Sequence, residues 1–357
     1  MRKIGIIVIL LSLLLPSCNE VAEKPLFDFS KSIVSGIPLV GHQDSYYYGH
    51  SWENVSNPVY GTVPRSDYYE TFGKWPDILG SDLGHIELAS DKNIDGVPFR
   101  LMRECIVYQD SIGKMATLSW HPRNPLTGGD AWDVSSEEVV KSILPGGEKH
   151  ELFLNNYLKH AADFLLSLRR ADGSLVPVIF RPWHEHTGSW FWWGRHNCST
   201  EEYVALWKMT HDYFDKAGLD NLFWAYSPDK TGIETYMERY PGDDMVDLFG
   251  LDAYMYNIPE LGLEDSRKLL REKMTEWISF ASNLAAEHNK PFAVTETGWE
   301  TIPDTEWYTE ILLPAMSGHK VSYCLFWRNA WDKPNHFYLP YPGHKGVDNF
   351  MTAFKLK

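Results

Sequence analysis

Eight short apolar runs, at residues 37–40, 85–88, 115–120, 176–180, 222–226, 246–251, 292–295 and 321–327, recur along this chain and limit what it can fold into. Several are β-branched or aromatic and almost continuously apolar, as parallel strands buried on both faces must be. Between many of them lie stretches of helical period. The clearest, 152–169, 201–217 and 266–288, repeat apolar residues every three or four positions among charges. Ser199-Thr200-Glu201-Glu202 reads as a helix start and Ala217-Gly218 as its stop. Eight strands alternating with helices over about 300 residues predict an α/β fold, a single (β/α)8 TIM barrel. An open doubly wound sheet would want a glycine-rich phosphate loop after the first strand, and Val40-Gly41-His42-Gln43-Asp44 is not one.

The chain starts Met1-Arg2-Lys3, continues apolar to Leu15 apart from Gly5 and Ser12, and reaches Leu15-Pro16-Ser17-Cys18. A basic start, a short apolar stretch and small residues at its end are an export signal, too short to span a bilayer. Leu-x-Ser-Cys resembles a bacterial lipobox. The expected division is a signal peptide over 1–17, a tether over 18–25 beginning at a lipid-bearing Cys18, and one catalytic domain over 26–357. The protein is then an exported bacterial lipoprotein, held at the periplasmic or outer surface through its lipid and acting as a monomer. The other reading is an ordinary secretory signal.

Charge excludes one class of partner. With 33 basic and 48 acidic residues the formal net charge is −15 and no basic cluster stands out, so nucleic acid is not expected. Cys105, Cys198 and Cys324 lack metal-ligand spacing and read as buried thiols. Fifteen Trp, nineteen Tyr and seventeen Phe are more telling, because many lie in polar or glycine-rich segments rather than in apolar runs. Flat rings with a polar edge suit sugars, whose C–H faces stack while their hydroxyls find hydrogen bonds.

A TIM barrel carries its chemistry where strands run out into loops at the C-terminal face. The fourth run leads into Arg181-Pro182-Trp183-His184-Glu185-His186-Thr187-Gly188-Ser189-Trp190-Phe191-Trp192-Trp193. A solvated loop has no need of four indoles, and a buried one could not carry His-Glu-His without partners. The segment therefore lines a ligand cleft. A metal site is not expected: read as extended chain, His184 and His186 point away from Glu185, and the helical His-Glu-x-x-His spacing is absent. The seventh run places Glu296 after strand residues and before Gly298-Trp299. Alone it could be a structural ion-pair partner. With Glu185 it forms two carboxylates able to face one another across the barrel top, the equipment of glycoside hydrolysis.

These residues resemble glycoside hydrolase family 26, chiefly β-1,4-mannanases on a clan A barrel. The resemblance rests on Arg181-Pro182-Trp183-His184-Glu185 with Trp190, on Ser119-Trp120-His121-Pro122-x-Asn124-Pro125, on Thr295-Glu296 and on Phe326-Trp327-Arg328-Asn329. It implies Glu185 as acid/base and Glu296 as nucleophile of a retaining double displacement on β-mannan or manno-oligosaccharides. No metal or other cofactor is needed. It further implies that His121 and His184 contact sugar or orient the carboxylates, and that Trp190 stacks near the cleaved bond. Tyr254 would hydrogen-bond the nucleophile, with Tyr256 a rival, and Trp327 and Arg328 would bind non-reducing-side sugars. Trp132 would lie on the reducing side, while Trp192 and Trp193 read as packing. Two alternatives stay open: the same chemistry on β-1,3-xylan or mixed-linkage β-glucan, and a non-catalytic glycan-binding lipoprotein.

Overall fold

The computed structural model of the chain describes residues 27–356. Cys18, the apolar leader and the whole of the tether lie outside them. Among the described residues eight parallel strands close into a barrel: β1 (Leu39–Gln43), β2 (Ile78–Asp82), β3 (Met115–Ser119), β4 (Val178–Arg181), β5 (Leu222–Tyr226), β6 (Leu248–Tyr254), β7 (Phe292–Gly298) and β8 (Val321–Phe326). Each pairs with the next in sequence, and β8 returns to β1 with Leu39 opposite Tyr323 and His42 opposite Phe326. This is the predicted (β/α)8 barrel.

One strand differs from expectation. The second strand is not 85–88, which forms a 3-10 turn at Ile86–Leu88 flanked by left-handed His85 and Ala89, but Ile78–Asp82. Its sequence Ile-Leu-Gly-Ser-Asp hides a strand, because its inner face is small or polar to fit the crowded barrel interior. A Cβ on Gly80 would lie 2.1 Å from the Gln43 side-chain oxygen, so a larger residue would displace the Gln43 side chain.

The barrel floor is apolar. Phe29, Ile78, Ile179, Phe223, Leu248, Ala293, Tyr323 and Leu325 fill it, and Phe27 packs edge-on against Phe223 where the described chain begins. A second, larger core lies between the strands and the surrounding helices. The helix Thr200–Lys216 starts with a capping box between Ser199 and Glu202, and Leu263–Glu287 buries Leu270, Met274, Ile278, Ala281 and Ala285 on one face. The helical stretch from His150 to Leu166 contains a π turn at Phe153–Leu158. Cys105, Cys198 and Cys324 are buried thiols.

Candidate active site

Above the floor, polar side chains replace apolar ones. Along β4 the inward positions are Ile179 and then Arg181; along β6 they are Leu248, Gly250, Asp252 and Tyr254. Gly250 is obligatory, since a Cβ there would lie 2.6 Å from the Thr295 hydroxyl. Along β7 Ala293 faces in and Val294 faces out, and strict alternation would send Glu296 out with it. A register shift intervenes: Leu251 pairs with Val294, but the next residue, Asp252, pairs with Glu296. The bulge lets Thr295 and Glu296 both reach the interior, re-aiming a carboxylate beside an active site as bulges often do.

Arg181, 1% exposed, organises this layer. It donates through Nη1 to Asp252 at 2.8 Å and through Nη2 to Glu296. Asp252 also accepts from Ser227 at 2.9 Å and Thr295 at 2.8 Å. Glu296 is 4% exposed and takes its second bond from the Tyr254 hydroxyl at 2.6 Å, whereas Tyr256 stands 43% exposed to one side. Burial and the Glu296 charge push the Tyr254 phenol well above its usual pKa, so it remains a donor.

Glu185 reaches the same place by another route. Beyond Arg181 the chain does not stay extended: Trp183 and Glu185 both adopt left-handed backbone, each at φ 52°. Non-glycine residues pay for that conformation, and such strain concentrates at functional sites. The turn is held by the Glu185 amide donating to the Ser227 carbonyl at 2.7 Å and by the Trp193 indole donating to the His184 carbonyl at 2.8 Å. The expected alternation is therefore wrong in its premise. His184 lies in the cleft beside His121, while His186 is buried between Tyr203 and Tyr226. Glu185 accepts from the Trp190 indole at 2.7 Å. Burial first, then the charges of Glu296, Asp252 and Asp229, raise its pKa well above the usual carboxylate range.

One carboxylate oxygen from each of Glu185, Asp252 and Glu296 lies within 4.8 Å of the others. Three acids this close could hold a cation. Here the Arg181 guanidinium already bonds two of them and supplies the compensating charge. The remaining pair, Glu185 and Glu296, is a largely buried acid of raised pKa facing a buried carboxylate with two donors. The surroundings of Glu185 favour its protonated form, as an acid requires.

His121 and His184 flank the pair. His121 Nδ1 donates to Asp82 at 2.7 Å, and its Nε2 stands 3.2 Å from His184 Nε2. Burial opposes a charge on His121, but Asp82 outweighs it and raises the pKa, while burial, Arg181 and His121 hold His184 well below the usual value. His121 is then the donor and neutral His184 the acceptor. Trp132, 49% exposed, lies nearly parallel to His121 at a centroid distance of 5.3 Å. Across the mouth Arg328 bonds Tyr48 at 3.2 Å and pairs with Asp95 at 3.1 Å, and partly exposed Trp327 follows β8. Trp192 and Trp193 are fully buried packing. Sequence reasoning missed Arg181, Asp252 and Asp82 as site residues. The first two were visible in the motifs around Glu185 and Tyr254, but Asp82 ends the strand that was misplaced.

Two carboxylates facing one another at the C-terminal mouth of a (β/α)8 barrel place this protein in the class of glycosidase-type barrels. The chain belongs to glycosyl hydrolase family 26, which it matches over residues 17–270. It is similar to a GH26 β-mannanase structure from Bacteroides ovatus, with 43% identity, 90% of each chain covered and a TM-score of 0.82. It is 32% identical to a mannan endo-1,4-beta-mannosidase of Bifidobacterium adolescentis over 94% of this chain and 34% of that protein. A Bacillus subtilis mannan endo-1,4-beta-mannosidase is 30% identical over 72% of this chain and 68% of its own length. The chain thus spans about a third of the Bifidobacterium relative and two thirds of the Bacillus one.

Proposed function

We propose that the protein hydrolyses internal β-1,4 bonds of mannan-type polysaccharides with retention of configuration. The observation that carries this is the Glu185–Glu296 pair. Its nearest oxygens lie within 4.8 Å, on the side of the roughly 5–5.5 Å spacing of retaining enzymes rather than the 6.5–9.5 Å that leaves room for an inverting water. Glu296, fixed by Arg181 and Tyr254, attacks the anomeric carbon. Glu185, kept protonated by its surroundings, gives its proton to the leaving oxygen and later takes one from the water that releases the glycosyl-enzyme. In this reading Trp190 stacks near the cleaved bond, Trp132 lies on the reducing side, and Trp327 with Arg328 takes the non-reducing side. The mannan assignment draws on the activity named for the relatives. The test is hydrolysis of soluble mannan, xylan and mixed-linkage glucan by the wild type and by Glu185→Ala and Glu296→Ala. Cleavage of mannan that both substitutions abolish supports the reading; cleavage of another glycan, or none, removes it.

We also propose export and anchoring through a lipidated Cys18. The support is the basic start, the apolar run and the Leu15-Pro16-Ser17-Cys18 junction. Among the described residues no helix is long and apolar enough to cross a membrane, so a lipid would be the means of attachment available to them.

A further inference from the structure

The chain beyond Glu185 folds back on itself. The Gly188 amide donates to the Glu185 carbonyl at 2.9 Å, the Arg195 amide donates to the Gly188 carbonyl at 2.8 Å, and the Asn197 side chain reaches the Ser189 and Phe191 carbonyls at 2.9 and 2.7 Å. Gly194 permits the close approach, since a Cβ there would lie 2.6 Å from the Gly188 carbonyl oxygen. This loop carries two indoles that touch the turn of the acid/base: Trp190 donates to the Glu185 carboxyl, and Trp193 donates to the His184 carbonyl. Whatever fixes the loop therefore fixes Glu185.

Three carbonyls of the loop meet at Arg239, on the segment between β5 and β6. Its guanidinium is 3% exposed and donates through Nη1 to the Trp193 carbonyl at 3.1 Å and through Nη2 to the carbonyls of Arg195 at 2.8 Å and Cys198 at 2.6 Å. A rigid fork of donors suits several acceptors set around one plane, which an ammonium on a flexible stem does not. The same guanidinium lies 5.3 Å from the centre of the Tyr203 ring, and the Tyr203 hydroxyl donates at 2.8 Å to the carbonyl of Trp183, the other left-handed residue of the turn. Arg239 is itself tied to the barrel wall. Tyr236, three residues before it, donates its hydroxyl to the Gly250 carbonyl on β6 and offers its own carbonyl to the Tyr226 hydroxyl on β5, both at 2.7 Å. Burying a cation costs stability unless its donors are met, and here they are met by main-chain carbonyls rather than by the reacting carboxyls. We infer that Arg239 is a positioning residue for the acid/base: through the Trp193 carbonyl on one side and Tyr203 on the other, it holds Trp183 to Glu185 in their left-handed turn and keeps Trp190 against the Glu185 carboxyl.

This inference rests on Glu185 as acid/base. Arg239→Met, Arg239→Lys, Trp193→Phe and Glu185→Ala are compared with the wild type on linear mannopentaose, whose leaving sugar needs a proton, and in the burst of aryl alcohol from an activated aryl β-mannoside, which needs none. Arg239→Met should lose about ten-fold or more in kcat on mannopentaose with KM changed by less than about two-fold, while the burst rate stays within about two-fold of wild type. Azide should speed its turnover of the aryl substrate, as in Glu185→Ala, and Arg239→Lys, which keeps the charge and part of the bonding, should fall between Arg239→Met and the wild type. Trp193→Phe cuts the link to His184 with Arg239 in place and should show the same split; with Arg239→Lys it carries the test should Arg239→Met not fold. An equal loss on both substrates, a loss confined to KM, or unchanged kinetics in the folded variants would overturn the role of Arg239. Absence of the split in Glu185→Ala itself would instead remove the acid/base reading, and this inference with it.

Discussion

The sharpest structural consequence concerns Asp252, which touches no substrate. Its two oxygens receive Arg181 Nη1 at 2.8 Å, Ser227 at 2.9 Å and Thr295 at 2.8 Å, and the side chain is fully buried. Asp252→Asn keeps the shape but replaces one acceptor oxygen with a donor, which must then face either the guanidinium or the hydroxyl pair. Ser227 and Thr295 can still bond each other at 2.7 Å, so the loss falls on Arg181, 1% exposed and left with Glu296 as its one charged partner and a long 3.5 Å bond to Ser227. Removing one partner of a buried ion pair costs about 3–5 kcal/mol. At about 2 °C per kcal/mol for a domain of this size, the melting temperature should drop by roughly 6–10 °C. The freed guanidinium also loses its fixed position beside Glu296, so kcat should fall more than KM rises. Thermal unfolding with steady-state kinetics on one mannan reads both effects. A melting point within about 2 °C of wild type together with an unchanged kcat would refute the idea that Asp252 anchors Arg181.

Two further outcomes follow from the same geometry and one from the sequence. Trp190→Phe removes the donor that favours the charged form of Glu185, so the raised pKa of that acid rises further; the basic limb of the kcat/KM profile should move to higher pH, and an unmoved limb would count against Glu185 as the acid. In the Asp82–His121 pair the histidine pKa is raised and the aspartate pKa lowered. The histidine contribution is present below the ordinary histidine value and lost as pH rises through the raised one. The aspartate contribution is present above the ordinary carboxylate value and lost as pH falls through the lowered one. Asp82→Asn should therefore lower the melting point more at pH 5 than at pH 9, and an equal loss at both would contradict a charged His121. Cys18→Ala should release the protein from the membranes of its host, and a wild type already soluble on fractionation would remove the anchor.

The facing carboxylates Glu185 and Glu296 were legible because each follows an apolar run, and a barrel turns the end of such a run into its mouth. Their aiming was not. Glu296 points inward through a bulge that Val-Thr-Glu-Thr does not announce with a glycine or proline, and Glu185 through left-handed backbone at two residues that ordinarily avoid it. In both places tertiary bonds, from Arg181 and Tyr254 in one and from the Ser227 carbonyl in the other, override local preference. The second strand was missed for a related reason: the barrel interior selects Gly80 and Asp82 for size and hydrogen bonding, and Ser81 bonds Tyr47 on the outer face, which erases the apolar signature of a strand. With it went Asp82, the residue that orients His121.

The most direct measurement is the fate of the glycosyl-enzyme in Glu185→Ala. With an activated aryl β-mannoside the leaving group needs no proton, so Glu296 should still form the intermediate, which then waits for want of a base to activate water. Added azide needs no deprotonation and should speed turnover, giving a β-mannosyl azide of retained configuration by NMR, while in Glu296→Ala azide can enter only from the face the carboxylate vacated and gives an α-azide of inverted configuration, not a β-azide. An α-azide from Glu185→Ala, or a β-azide from Glu296→Ala, would contradict the assignment of Glu296 as nucleophile and Glu185 as acid/base.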